Sequence, residues 1–167
     1  MPPTDSDEKL STALLDDHRE LEAMMRDVAA ATETSDRATV QSSWSRFEPA
    51  LLHHMDWEEA ALLPGFERAH PIDAARFRAD HARLREQLTD IGIRIDLRSA
   101  RAEDIEAFLA ALRAHSEAEN RLVYAWADAT IEPPIRHDLL AAFRARLSGL
   151  SGDRAVGSHH RHATRTG

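Results

Sequence analysis

Four histidines and two glutamates fall where the helices of this chain are expected to bury apolar side chains. Read at the alternating three-and-four spacing of a core-facing stripe, four segments each give a continuous seam. The first is Leu14, His18, Leu21, Met25, Val28, and the second is Val40, Trp44, Phe47, Leu51, His54, Glu58, Ala61. The third is Ala74, Phe77, His81, Leu84, Leu88, Ile91, Ile95, and the fourth is Ile105, Phe108, Leu112, His115, Glu119, Leu122, Trp126. Every other seam position is apolar. Burying an unpaired carboxylate or imidazole costs several kcal/mol, so these six groups need partners inside the protein. A metal site is the partner that satisfies all six together.

The punctuation between seams predicts an all-α, up-down-up-down four-helix bundle with a short fifth C-terminal helix. Helix one is expected to start near Ser6 or Asp7 and fade around residues 31–35. The second runs from about Asp36 to Leu63, where Pro64 and Gly65 mark an end or a kink. A connector at 66–70 leads to Pro71, which suits the first turn of a third helix reaching about Leu97. Its tail, Ile91 to Ile95, alternates like a strand, but a lone strand has nothing to pair with. The fourth helix spans about 102–129, and a short fifth lies near 135–147. This divides the chain into an N-terminal extension (1–9), the bundle with its fifth helix (10–148) and a disordered His/Arg-rich tail (149–167).

An internal repeat supports the pairing of seams. Asp17-His18-x-x-Leu21 recurs as Asp80-His81-x-x-Leu84. More loosely, His54-x-x-x-Glu58-Glu59-x-x-Leu62 recurs as His115-x-x-x-Glu119-Asn120-x-x-Val123. Two helical hairpins related by a pseudo-twofold axis bring both halves of the motif to one level.

Composition narrows the chemistry. The 167 residues suffice for one domain with a real core. The formal net charge of −8 argues against nucleic acid or an anionic membrane as the partner. The chain has no cysteine, which removes disulfides, thiolate nucleophiles and iron–sulfur ligation. The first residues lack a basic stretch followed by an apolar one, so no signal peptide is read there, and a cytoplasmic protein is expected.

Residues four apart on a helix share a face, so His54 with Glu58, and His115 with Glu119, point the same way. Glu59 points off the stripe and is expected in solvent. Structural zinc takes four ligands and leaves some of these groups unmatched, while calcium and magnesium prefer all-oxygen shells. Mixed imidazole and carboxylate ligation suits iron or manganese, and each carboxylate can bridge a metal pair. His53 and Trp57 flank the second-helix motif, and Tyr124 follows Glu119; these three are the candidates for surrounding support. His159, His160 and His162 read as part of a solvated tail.

The order His, His-x-x-x-Glu, His, His-x-x-x-Glu on successive helices resembles the hemerythrin-like, or HHE cation-binding, family. The stretch His54-Met55-Asp56-Trp57-Glu58-Glu59-Ala60-Ala61-Leu62-Leu63-Pro64 is the most recognisable part of the likeness, which covers roughly residues 10–128. The resemblance implies a non-haem di-iron centre with His18, His54, Glu58, His81, His115 and Glu119 as ligands. Two iron ions would be bridged by Glu58, Glu119 and an oxo or hydroxo ligand.

Oxygen-carrying members place two histidines four apart on the third helix, whereas His81 here is preceded by Phe77 and followed by Arg85. They also use an aspartate five residues after the last histidine, where this chain has Asn120. The leading functional expectation is therefore a protein that binds or senses a small molecule such as dioxygen, nitric oxide or peroxide. The alternatives are an enzyme detoxifying peroxide or nitric oxide, and an iron-responsive regulatory module. Whether the chain is an enzyme is left open by the sequence.

Overall fold

The structure is a computed structural model that describes residues 9–34 and 36–156. Four main helical segments form the bundle: α1 (Leu10–Thr34), α2 (Arg37–Ala61), α4 (Pro71–Asp96) and α5 (Ala102–Glu119). Neighbouring segments pack in a closed ring, α1 on α2, α2 on α4, α4 on α5 and α5 on α1. The expected all-α architecture holds among the described residues.

The helix boundaries follow from local chemistry. Asp36 caps α2, its carboxylate accepting from the Ala38 amide at 3.1 Å. Pro64 lacks the amide that α2 needs to continue, so the helix stops at Leu62 and a short α3 (Leu63–Ala69) restarts. Residues 66–70, expected as a connector, are thus largely helical. Gly65 lets α3 approach α6 (Ala125–Thr130), since a Cβ there would sit 2.9 Å from the Trp126 ring. Pro71 opens α4 as anticipated, and Ile91 to Ile95 continue that helix.

Three further boundaries differ from expectation. The fourth seam is not one α-helix, because a π-helical turn, Asn120–Tyr124, joins α5 to α6. The extra residue of that turn shifts the stripe by one position. Leu122 and Trp126, expected in the core, are only half-buried, while Val123, Tyr124 and Ala127 take their places. The C-terminal helix, α7, runs Pro133–Val156 and is not short, so residues 149–156, expected as tail, belong to it. The three tail histidines lie outside the described residues, as does the expected helix start near Ser6; α1 begins at Leu10.

Two apolar clusters sandwich one polar layer. One is built around Met25, Val28, Phe47, Leu51, Leu88, Ile91, Phe108 and Leu112. The other contains Leu10, Leu14, Leu62, Leu63, Phe66, Phe77, Val123, Tyr124 and Phe143. Helix α7 closes the second cluster by laying Phe143 against Trp57, with ring centroids 4.9 Å apart. No helix among the described residues is long and apolar enough to cross a membrane.

Candidate metal centre

All six seam residues meet in the polar layer. His18, His54, Glu58, His81, His115 and Glu119 are each buried, and Glu58 and Glu119 are only 1% exposed. Their donor atoms form two overlapping groups, His18, His54, Glu58, Glu119 and Glu58, His81, His115, Glu119, each within 4.8 Å of one another. Both carboxylates belong to both groups. Two imidazoles stand on either side of a shared carboxylate pair.

The distances show how the halves join. Nε2 of His18 and Nε2 of His54 lie 2.9 Å apart. Glu58 reaches His54 Nε2 at 3.3 Å through one oxygen and His81 Nε2 at 3.4 Å through the other. Glu119 spans in the same way, meeting His115 Nε2 at 3.0 Å and His18 Nε2 at 3.4 Å. His115 Nε2, Glu58 Oε2 and Glu119 Oε2 are buried without a hydrogen-bond partner among the described residues. Their contacts are therefore close but not aligned as hydrogen bonds. Orphaned inward-facing lone pairs are what a cation would satisfy, so the residues present fit a metal.

Two of the four outer nitrogens, Nδ1 of His54 and Nδ1 of His81, are held by carboxylates. Asp17 lies 2.6 Å from His54 Nδ1, and Glu59 lies 2.9 Å from His81 Nδ1. Each carboxylate is an acceptor, so it fixes a proton on Nδ1 and leaves Nε2 facing inward. Arg85 in turn holds Glu59 at 2.7 Å and Asp56 at 2.8 Å. Asp80 stands 3.9 Å from His115 Nδ1, in the corresponding place but too far to hydrogen-bond. Sequence reasoning missed Asp17 as a support and placed Glu59 in solvent. The repeated Asp-His pair was the available signal, but each aspartate faces the histidine of a neighbouring helix.

The three flanking candidates separate cleanly. His53 is exposed and therefore no support for the centre, because one residue along a helix turns the side chain about 100° away. Trp57 is buried against Phe143 of α7. Tyr124 enters the centre itself: its hydroxyl lies 3.0 Å from His18 Nε2 and 3.5 Å from His54 Nε2, and donates a short hydrogen bond to Glu58.

Electrostatics bind the cluster together. Burial works to lower the His81 pKa, but hydrogen bonds and charges from Glu119 and Glu58 outweigh it and hold it at about 10. Burial opposes the charged form of His54 too, yet Glu58 and Asp17 keep it well above its ordinary value. Glu58 is pushed upward by burial and by Glu119, but His54 and His81 pull it down to about 2. Glu119 is held well below the usual range, with His115 its main counter to burial. Burial and the Glu58 and Glu119 charges raise Tyr124 well above its ordinary value, so the phenol keeps its proton in this charge field.

A helical bundle with buried histidines and glutamates gathered in one layer defines a cation-binding class of fold. The family model of the hemerythrin HHE cation binding domain matches residues 9–127, and the chain belongs to that family. Neither a curated protein nor a solved structure matches the chain.

Proposed function

We propose that this protein holds two non-haem iron ions at the four-histidine, two-glutamate layer and binds or senses a small molecule there. The observation that carries the reading is the sharing of Glu58 and Glu119 by two four-residue donor groups. Two positions with common carboxylates suit a metal pair better than one ion. His18 and His54 would hold one metal, His81 and His115 the other, with Glu58 and Glu119 spanning both. Bound iron supplies redox chemistry and open coordination for a ligand such as dioxygen, nitric oxide or peroxide.

The protein's own groups orient and insulate that chemistry. Asp17 and Glu59 fix the His54 and His81 rings through their Nδ1 protons. The apolar clusters on both sides keep bulk water from the layer, which strengthens every charge interaction inside it. Metal analysis of the purified full chain, followed by near-ultraviolet spectra with and without azide, tests the reading. Two irons per chain and a bridging-ligand band altered by azide are expected. Well under two metals after anaerobic iron loading overturns it.

A further inference from the structure

The two halves of the centre are not equivalent, and one hydroxyl is among the differences. In a regular α-helix a residue five positions after Glu119 would lie about 140° around the axis from it. The π-helical turn Asn120–Tyr124 reduces that offset and turns Tyr124 inward. Its side chain is fully buried, and its hydroxyl contacts His18 Nε2, His54 Nε2 and Glu58 Oε1. All three residues belong to one donor group.

The pseudo-twofold counterpart carries nothing similar. Five positions after Glu58 stands Leu63, which has no donor atom. Among the described residues, the polar side-chain contacts of His81 are with Glu58, Glu59 and Glu119. Those of His115 are with Glu119 and Asp80. That half also borders a groove of about 280 Å³ between α4 and α5, lined by Arg76, Asp80, Leu84, Ala111, His115 and Ala118. His115 lines this groove beside Asp80, which faces its outer nitrogen, and a groove of about 250 Å³ lies beside Asp17 on the other half.

We propose that Tyr124 is a seventh protein ligand that closes the His18–His54 half, so that an exogenous small molecule binds at the His81–His115 half. The inference rests on the two-iron reading above. Ligation exchanges the phenolic O–H bond for an oxygen–iron(III) bond and releases the proton to solvent. Placing a fixed oxygen on one iron and none on the other makes the pair unsymmetrical without any third-helix second histidine.

Resonance Raman and visible absorption of the full chain loaded with iron(III) test this directly, because Tyr124 is the only tyrosine. Two irons per chain with a phenolate-to-iron charge-transfer band and enhanced tyrosinate ring modes are expected. Tyr124→Phe should retain two irons and lose the band. Azide should saturate at one per iron pair in the wild type and two in Tyr124→Phe. Two irons with no tyrosinate modes, or two azides in the wild type, overturn the inference while leaving the metal centre standing. Failure to take up two irons overturns both. The wild-type spectrum decides even if the variant does not fold.

Discussion

The Asp17 carboxylate accepts a hydrogen bond from Nδ1 of His54 at 2.6 Å, across the interface of α1 and α2. Asp80 stands 3.9 Å from Nδ1 of His115, beyond hydrogen-bond distance, and accepts from Arg83 instead. Carboxylates in this position orient a metal-binding imidazole and raise its basicity. Asp17→Ala is expected to weaken iron binding about 10–100-fold, the range seen for such outer partners. Asp80→Ala should cost less. Competition titrations against a chelator measure both, and equal losses would refute the asymmetry.

Sharing of the carboxylates sets a stoichiometric test. His18 belongs to one donor group, whereas Glu119 belongs to both. His18→Ala should therefore retain one iron per chain, and Glu119→Ala should retain none. Metal analysis of the two purified variants, with circular dichroism to confirm helicity, reads the difference. Identical metal content would count against a two-ion layer.

The charge field predicts how pH acts on folding. His54 and His81 have raised pKa values, His81 at about 10 against an ordinary 6.5. Both contributions to the metal-free fold are fully present below 6.5, and that of His81 is lost as pH rises toward 10. Glu58 is lowered from 4.5 to about 2, so its contribution is present above 4.5 and is lost as pH falls toward 2. Iron must displace the imidazole protons, and proton competition weakens with rising pH. The gain in Tm on adding iron should accordingly be larger above pH 6.5 than below it. A gain independent of pH would contradict the proton exchange.

Helix α7 covers the layer through Phe143, which is 2% exposed and lies edge-on to His54 with centroids 6.4 Å apart. Phe143→Ala removes that ring and leaves a cavity beside Trp57, at a cost of about 3–5 kcal/mol. Urea unfolding of the iron-free protein checks the magnitude. A loss well under about 1 kcal/mol, against the range for buried aromatics, would show that α7 does not seal the bundle.

The ligand layer was legible because helical periodicity is a local property. Polar residues on an otherwise apolar seam stand out whatever the final crossing angles, and the spacing of the repeat alone ties His18 to His81 and Glu58 to Glu119. Proline chemistry likewise located the α2–α3 break and the start of α4. The supports were less legible. Glu59 lies off the α2 seam, yet Arg85 of α4 draws it onto His81 Nδ1. No spacing within α2 reports the position of an arginine on another helix.

By itself the sequence determined the all-α class, the four main helical segments and the six polar side chains that share one layer, since each depends on a period of about 3.6 residues read along a single segment. Tertiary structure alone decided that Asp17 and Glu59 orient the histidines, that α7 continues to Val156, and that Tyr124 rather than Leu122 faces inward. The physical reason is the π-helical turn and the packing around it. One added residue rotates everything after it, and the rotated face packs against α1 on another part of the chain, which no local pattern reports.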